Sequence, residues 1–513
     1  MHPCLQIPEL LKLFFDALND KKSLSYLSRA CSTFKEPALD ALYTEIDGSD
    51  FLLCLPSHLW SVQERTDPMR QSSLLRVFTL KRDISQREWD TLLRYTARVK
   101  CVSLSPETEG SFRMDISVWK NLSRTRPVEN VFPMLRTLRL YPLDTFIPSI
   151  NLFLSPELCS LDFLIRSPEV LAYILQVLPP VCLGVEAFHV TYCASLPKTT
   201  KTDLADVICQ WPNIRSLTIP SIDERILRHL TKSQGLGCLH FDFRSHHSWL
   251  SAPSLGFRSM THLSVRADSI NATIRALKSI RSSSSAGAES RFYARIRHVQ
   301  IDAPYRESEE SLNPLLELTS GLGGYVAHDH LAEMTLHLSP DTQLRGLELL
   351  RPLRVFTHLS RLSITGKNST IDISFDALQT LLVNWPCLEA IQIITLHPFL
   401  TLPQLFGVLE ACPRLQICGL GTIVNPHDVD ALLNHEDDLR VYGPYRNVEL
   451  LILGHATEET QHVRPTVQVL SRVVPQLKCV GSKMDSDVFD SKRTAHSKFW
   501  VDVLDGIQGF NKL

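Results

Sequence analysis

A short apolar pattern recurs along most of the chain: an apolar residue, two residues of any kind, an apolar residue, one of any kind, and a third apolar residue. The last two side chains are two positions apart, so they share one face of an extended strand, and the first lies just before it. About fourteen candidates follow one another at intervals of about 22 to 36 residues, a spacing typical of structural repeats. They begin at Val99, Leu135, Leu158, Val185, Ile214, Leu236, Met260, Ile296, Leu331, Leu359, Leu388, Leu415, Val448 and Leu477, the last of which has Ser482 at the third position.

Proline strengthens this pattern. In a chain with 44% hydrophobic residues, chance alone gives about one such triplet per twelve positions. Six of the fourteen candidates also have proline two positions before the first apolar residue, where random placement would give about one. Proline ends a preceding helix and favours extended backbone next to it, so each is expected to separate a helix from a strand. The six are Pro133, Pro156, Pro212, Pro386, Pro413 and Pro475.

Amphipathic segments precede several of these strands. The clearest predicted helices span residues 168–177, 202–210, 375–384 and 403–411, and each leads into a short apolar segment. Helix and strand in a fixed order predict a one-dimensional stack, in which neighbouring repeats cover one another's apolar faces.

The pattern resembles a leucine-rich repeat, with one departure. That family has Asn or Cys three residues beyond the last apolar position, and only Cys193 fits. The expected fold class is therefore α/β: an irregular leucine-rich-repeat solenoid over residues 99–484. The competing interpretation, a doubly wound α/β domain, requires Val- and Ile-rich strands and a Gly-rich first turn, and neither is clear.

Residues 1–46 predict three short helices. Pro8 suits a first helical turn, and Leu10, Leu13, Phe14 and Leu18 follow at helical spacing. Ser23 is a candidate N-cap for a second helix, and a third is predicted from about residue 36 to 43. So small a unit buries little core alone. We therefore expect it to dock on the rest of the chain or on a partner.

This segment resembles an F-box through residues 7–11, Phe14, Leu18, residues 23–34 and residues 37–43. The closest form is that of fungal (basidiomycete-type) F-box/leucine-rich-repeat proteins, although Pro8 stands one position late and Tyr43 replaces a common Trp. The resemblance implies a substrate-recruiting adaptor that binds Skp1, and through it a cullin complex, while the concave strand face holds an unknown protein substrate. The residues implied in Skp1 binding are Ile7, Pro8, Leu10, Leu11, Phe14, Leu24, Leu27, Cys31, Phe34, Leu42 and Tyr43.

Two interpretations of residues 1–46 are possible: the helices either bind Skp1 or form a simple cap in a leucine-rich-repeat scaffold without a ligase role.

Residues 47–98 are expected to join the helices rigidly to the repeats, with a strand at 74–80 and a helix near 85–95 carrying Trp89. Residues 485–513 are expected to form a C-terminal cap or tail, with Phe499, Trp500, Val503, Leu504 and Ile507 on one helix. Ser282–Ser290 is low-complexity and is predicted to be a surface loop.

Charge and composition narrow the function. The 53 Lys and Arg nearly balance the 55 Asp and Glu, giving a net charge of −2, which argues against nucleic acid as a partner. The 13 cysteines are odd in number and form no CxxC pair, as expected of reduced thiols in the cytoplasm or nucleus. The first residues carry charges that interrupt any signal peptide, and no apolar window is long enough for a membrane helix.

No sequence motif indicates catalysis or a cofactor. His328-Asp329-His330 and His246-His247 offer imidazoles, yet each lacks further ligands at metal-site spacing and is better interpreted as a polar loop. Gly321–Gly324 is neither a dinucleotide nor a P-loop motif, and no GxSxG or HExxH occurs. We therefore expect a non-enzymatic protein without metal or cofactor.

Overall fold

The computed structural model divides the chain into two compact units, residues 1–236 (unit 1) and 237–513 (unit 2). It describes residues 7–18, 20–48, 50–66, 74–104, 113–141, 147–192, 196–243, 257, 259–280, 295–303, 313–338, 343–366, 370–394, 400–434, 442–453, 463–481 and 498–510.

Unit 1 is built on a parallel sheet whose strands follow chain order. Its described strands pair in the order β1-β4-β6-β7-β8-β9, and each pair is parallel. A side sheet pairs β2 with β3 antiparallel and β3 with β5 parallel. The strands are β1 (Glu45–Asp47), β2 (Trp60–Thr66), β3 (Leu74–Leu80), β4 (Cys101–Leu104), β5 (Arg113–Met114), β6 (Thr137–Leu140), β7 (Ser160–Ile165), β8 (Ala187–Tyr192) and β9 (Ser216–Ile219).

Unit 2 continues the same construction. Its described main strands pair in parallel in the order β10-β11-β12-β13-β15-β17-β19-β21-β22, and β14-β16 and β18-β20 form two small parallel pairs. The strands are β10 (Cys238–Phe243), β11 (His262–Ala267), β12 (His298–Ala303), β13 (Glu333–Leu338), β14 (Gln343–Arg345), β15 (Arg361–Gly366), β16 (Thr370–Asp372), β17 (Ala390–Ile394), β18 (Leu400–Thr401), β19 (Ile417–Leu420), β20 (Thr422–Ile423), β21 (Leu450–Ile452) and β22 (Cys479–Gly481).

Helices connect the strands. Those of unit 1 are α1 (Pro8–Asp16), α2 (Lys21–Ala30), α3 (Ser32–Thr44), α4 (Gln86–Thr96), α5 (Ile116–Thr125), α6 (Pro168–Val177), α7 (Lys198–Ile208) and α8 (Glu224–Leu230). Those of unit 2 are α9 (Ile270–Ile280), α10 (Asn313–Tyr325), α11 (Gly346–Leu350), α12 (Phe375–Leu382), α13 (Leu402–Ala411), α14 (Pro426–Asn434), α15 (Val463–Val473) and α16 (Lys498–Phe510). Short 3-10 helices span Asp50–Cys54, Ile147–Leu152 and Arg351–Val355.

The apolar triplet locates the strands. Every one of the fourteen predicted starts lies two residues before an observed strand, from Val99 before β4 to Leu477 before β22. The triplet side chains are buried on the inner face: in the repeat of β6, Leu135, Leu138 and Leu140 are all fully inaccessible. Burial of one such side chain contributes about 1.5–3 kcal/mol, so the triplets supply much of the cohesion between repeats. The prediction of an α/β repeat arrangement is confirmed at this level, because the parallel strands follow one another in chain order within each unit.

The prolines start turns. In the repeat of β17, Leu388 N–H donates to the carbonyl of Trp385, with Pro386 at the second position of the turn. The fixed φ of proline suits that position and lowers the conformational entropy lost on folding. The same hydrogen bond follows four more of the six prolines: Leu135 to Phe132, Leu158 to Ser155, Leu415 to Cys412, and Leu477 to Val474.

Two predicted positions in the N-terminal helices need correction. The second helix is capped by Asp20 and not by Ser23, because the Asp20 carboxylate accepts from the backbone N–H groups of Lys22 and Ser23. The third helix begins at Ser32, four residues before the predicted start. By contrast, α6 and β3 have the predicted bounds, and α4 starts one residue after the capping Ser85.

β1 was missed by the sequence pattern. Its inward residue Ile46 is buried, but the third position of its triplet is Gly48, whose φ is 57°. A glycine adopts this left-handed conformation without steric cost, whereas the expected apolar residue would not. The predicted boundary after residue 46 therefore falls inside β1, which pairs with β4.

The C-terminal helix α16 packs on α15 and β22. Val503 and Ile507 are fully buried and Leu504 is half-buried, as expected of an apolar helix face that covers the last described strand. Cys193, His246-His247, Ser282–Ser290 and residues 485–497 lie outside the described residues.

Helix α16 approaches α15 at a glycine. A Cβ placed on Gly506 would lie 2.7 Å from Val467 Cγ2, whereas one on Gly324 in α10 would meet nothing within 4 Å. We predict that Gly506→Ala lowers the free energy of unfolding by about 1–3 kcal/mol, because the β-branched Val467 has little freedom to move. The matched Gly324→Ala should raise it by about 0.5–1 kcal/mol. Urea denaturation of both variants checks this. If Gly506→Ala were as stable as the unmodified chain, α16 would not pack closely on α15.

Candidate protein-interaction surfaces

The N-terminal helical unit, residues 7–44, has a small core of its own. Leu11 and Phe15 of α1, Leu24 of α2 and Ala38 of α3 are buried together. The rings of Phe15 and Phe34 meet edge to face, with centroids 5.7 Å apart. The three helices therefore hold one another through their own side chains.

Helix α1 and the residues at its two ends carry a second apolar surface, which we name the α1 stripe: Ile7, Leu10, Leu13, Phe14 and Leu18. Successive helical residues point about 100° apart, so Leu10 and Phe14 point to one side of the direction in which Leu11 and Phe15 are buried. Leu13 is 66% exposed and Phe14 is 58% exposed. The apolar arc of α1 is thus wider than the surface that α2 and α3 cover.

Exposed apolar residues concentrate at this end of the chain. Of the thirteen large hydrophobic side chains that are exposed in the described residues, five lie between residues 7 and 26. Scattered single residues of this kind are ordinary on protein surfaces, but a cluster marks an interaction surface. The five are Ile7, Leu13, Phe14, Leu18 and Tyr26.

The structure divides the residues implied in Skp1 binding into three groups. Ile7, Pro8 and Phe14 are exposed and Leu10 is half-buried, so these four are open to a partner. Leu11 and Leu24 are core residues, and the half-buried Leu27, Phe34 and Leu42 pack against that core. Cys31 is half-buried at the junction of α2 and α3, and Tyr43 packs on Tyr95 of α4, with ring centroids 4.7 Å apart.

Sequence reasoning left three of these five exposed residues out of the set. Leu13 and Leu18 had been placed on the predicted apolar face of the first helix but not among the binding residues. Tyr26 lies in the polar helix α2, where the guanidinium carbon of Arg29 is 5.3 Å from the centroid of its ring. The sequence signal for Tyr26 is its i, i+4 spacing from the exposed Lys22, which puts it on the outer face of α2.

The helical unit is fixed to the first strands. No residue separates the end of α3 at Thr44 from the start of β1 at Glu45. Arg98, only 16% exposed, forms ion pairs with Glu36 and Asp40 of α3. Lys21 of α2 lies 3.5 Å from both Asp47 and Asp50. These contacts agree with a joining segment that restricts the orientation of the helices.

The outward positions of the strands are polar in unit 1. His189 Nε2 on β8 lies 2.9 Å from the Ser216 hydroxyl on β9, and burial lowers the pKa of His189. Asp162 is level with His189 on β7 but accepts its hydrogen bond from the Tyr141 hydroxyl. Ser, His and Asp thus adjoin, yet the Asp–His hydrogen bond that orients a catalytic triad is missing among the described contacts.

In unit 2 the outward face changes character along the chain. It is charged from β10 to β15 and becomes apolar at Ala390, Ile417 and Leu450 on β17, β19 and β21. Gln392 is only 2% exposed on this face, and its Nε2 has no hydrogen-bond partner within the described part of the chain. The outward face therefore offers a ligand both charged and apolar side chains. The sequence triplet predicts neither, because it constrains only the inward residues.

The histidine motif near residue 328 serves the local fold. His328 Nε2 contacts the carbonyl oxygen of Gly323 at 2.7 Å near the end of α10, and His330 Nδ1 contacts Asp329 at 2.7 Å. Within the described ranges no group of three His, Cys, Asp or Glu side chains is arranged to hold a metal ion. Nor is any helix there long and apolar enough to cross a membrane.

No protein-family model matches the sequence, and no curated protein matches it. Among solved structures, the chain is similar to the leucine-rich repeat-containing protein LegL7 from Legionella pneumophila, with 10% identity and a TM-score of 0.27. The match covers 80% of this chain and 97% of that chain. At that TM-score the likeness adds nothing to the repeat arrangement that the strand order and the buried triplets establish.

Arg98 is predicted to hold α3 against α4. Arg98→Ala should increase amide hydrogen exchange in α3 by a few-fold, equivalent to roughly 1 kcal/mol, whereas Arg87→Ala on the exposed face of α4 should not. The Arg98 guanidinium lowers the pKa of Glu36 below 4.5. The part of the link that Glu36 supplies is therefore complete above pH 4.5 and is lost as pH falls through the lowered pKa of Glu36. Unchanged exchange in Arg98→Ala would contradict this assignment.

Proposed function

We propose that the protein is a substrate-recruiting adaptor of an SCF-type (Skp1–cullin–F-box) ubiquitin ligase. In this proposal the N-terminal helical unit docks on Skp1 and the outward strand faces hold a protein substrate. The chain itself performs no catalysis, which belongs to the partner subunits, and it needs no cofactor. Cytoplasm and nucleus are the compartments in which such an adaptor would act.

The α1 stripe is the observation that carries this proposal. An exposed apolar stripe lowers solubility unless another molecule covers it. Burial of Leu13 and of Phe14 would each contribute about 1.5–3 kcal/mol to the stability of a complex. The stripe lies on the segment that resembles an F-box, on a helix whose opposite side is already held by α2 and α3. A helix fixed in this way presents its apolar face without first having to fold, which lowers the entropy lost on binding.

The firm attachment of the helical unit supports an adaptor role in particular. A ligase adaptor must hold its substrate at a defined distance and direction from the catalytic subunits. The direct α3–β1 junction and the ion pairs of Arg98 restrict rotation between the docking helices and the first strands. A flexible tether would also bind both partners, but it would leave their geometry undefined.

The second candidate is a repeat scaffold without a ligase role, in which the helices only cover the first strand. The observation in its favour is the continuity of α3 with β1, since terminal repeats need a cover. Under this alternative the outer face should be polar, whereas the α1 stripe is apolar and exposed.

Replacing the exposed residues of the stripe should separate the two candidates. We predict that the full-length chain binds Skp1 on co-expression, and that Leu13→Ser with Phe14→Ser weakens binding by at least about 30-fold, or about 2 kcal/mol. Isothermal titration with purified Skp1 measures this. Point variants are preferable to removal of residues 1–46, which would also remove Glu45 and Ile46 of β1.

The matched control is Leu183→Ser with Val383→Ser, which also replaces two exposed apolar residues by serine, but outside the helical unit. Leu183 is 62% exposed and Val383 is 74% exposed. This control should bind Skp1 like the unmodified chain, and both double variants should keep its thermal stability because neither pair is in a core. If the unmodified chain does not bind Skp1, or the stripe variant binds as well as the control, the ligase proposal is wrong and the scaffold alternative stands.

A further inference from the structure

Four side chains of unit 2 form what we name the imidazole row: His262, His298, Glu333 and Arg361. They occupy level outward positions on β11, β12, β13 and β15. The rings of His262 and His298 stack with centroids 4.1 Å apart and planes 9° from parallel. His298 Nδ1 lies 2.8 Å from Glu333 Oε2, and Arg361 Nε lies 3.7 Å from Glu333 Oε1.

The charges along this row are unequally matched. The carboxylate of Glu333 is shared between His298 and Arg361. Arg297 precedes His298, is exposed, and is close enough to act electrostatically on His262. With both imidazoles neutral, the two arginines exceed the one carboxylate by a single positive charge. Protonation of His262 would add one more.

The carboxylates of Asp242 on β10 and Asp302 on β12 are engaged away from His262. On β10, Cys238 is level with His262, and Asp242 further along faces Arg266 of β11. Arg266 Nε lies 3.3 Å from Asp302 of β12, and its Nη1 lies 4.0 Å from Asp242. Both carboxylates therefore contact Arg266, which lies four residues after His262 on β11. Helix α9 also packs against β11.

We propose that the imidazole row, together with Arg297, is a docking site for an Asp- or Glu-rich segment of a partner protein. The inference deepens the proposed function, because it names the chemistry of the segment that the strand face would recruit. Carboxylates of such a segment would approach the edge of His262 and the guanidinium of Arg297. Charge-assisted hydrogen bonds to imidazolium and guanidinium groups are shorter and stronger than neutral ones.

Binding of this kind takes up a proton. Burial, and after it the adjacent His298, lowers the pKa of His262 from its ordinary value of 6.5, so the free imidazole is neutral at pH 7. A bound carboxylate favours the imidazolium and raises that pKa. The complex therefore tightens as pH falls from above 6.5, and tightening ends once the free imidazole is itself protonated. A difference of about one pKa unit gives about tenfold in affinity.

Fluorescein-labelled hexaglutamate is a suitable probe for the full-length chain. Fluorescence anisotropy at low salt should show binding that strengthens about tenfold between pH 7.5 and 5.5, where the glutamates remain ionised. Arg297→Gln should weaken binding several-fold at every pH, because it removes a charge that does not titrate. His262→Gln should abolish most of the pH dependence while leaving binding at pH 7.5 nearly unchanged.

Two variants control for net charge, since the whole protein becomes more positive in acid. Arg464→Gln and His427→Gln remove an arginine and a histidine at exposed positions on α15 and α14 of unit 2, away from the imidazole row, and should bind like the unmodified chain. Absence of hexaglutamate binding overturns the proposal, as does equal behaviour of the site and control variants. The Skp1 titration uses a different surface, so failure of the ligase proposal would leave this result unaffected and can be told apart from it.

Discussion

The architecture depends on one constraint: the inner face of each short strand must be covered by the strands and helices of adjacent repeats. A strand of four to six residues with two or three inward side chains buries too little surface alone, and parallel pairing leaves its backbone groups unsatisfied unless strands lie on both sides. In the repeat of β6, for example, Leu135 lies two residues before the strand and joins the inward Leu138 and Leu140 to make a triplet that is fully buried. The order of the strands in space therefore follows their order in the chain, because each repeat is stabilised by those next to it.

That constraint explains why the fold could be predicted. Burial acts on three positions per repeat, so fourteen strands could be located although the intervals between them vary and the family's Asn or Cys is absent after most of them. Proline helped for a separate reason, because its φ suits the turn that precedes a strand, as at Pro386. β1 escaped prediction because Gly48 takes the place of an apolar residue. Where the backbone conformation required glycine, the hydrophobic pattern was lost.

The interaction surfaces were less predictable, and the reason lies in α1. Leu10, Leu11, Phe14 and Phe15 are all apolar, so periodicity alone cannot tell which pair faces the core. The structure buries Leu11 and Phe15 and exposes Phe14, which makes Leu11 part of the internal core and not of a contact surface. The same limit applies to the strand faces. His262 and His298 are 36 residues apart in sequence and become neighbours only through the register of β11 and β12.

The direct junction of α3 and β1 has a consequence for how such proteins can change. An insertion of one residue within α3 would turn everything before it by about 100° and shift it by about 1.5 Å along the helix axis. The α1 stripe would keep its composition but point in another direction relative to the strands. A change in the length of α3 would thus turn the exposed stripe to a different angle, so at this point the geometry depends on length more than on residue identity.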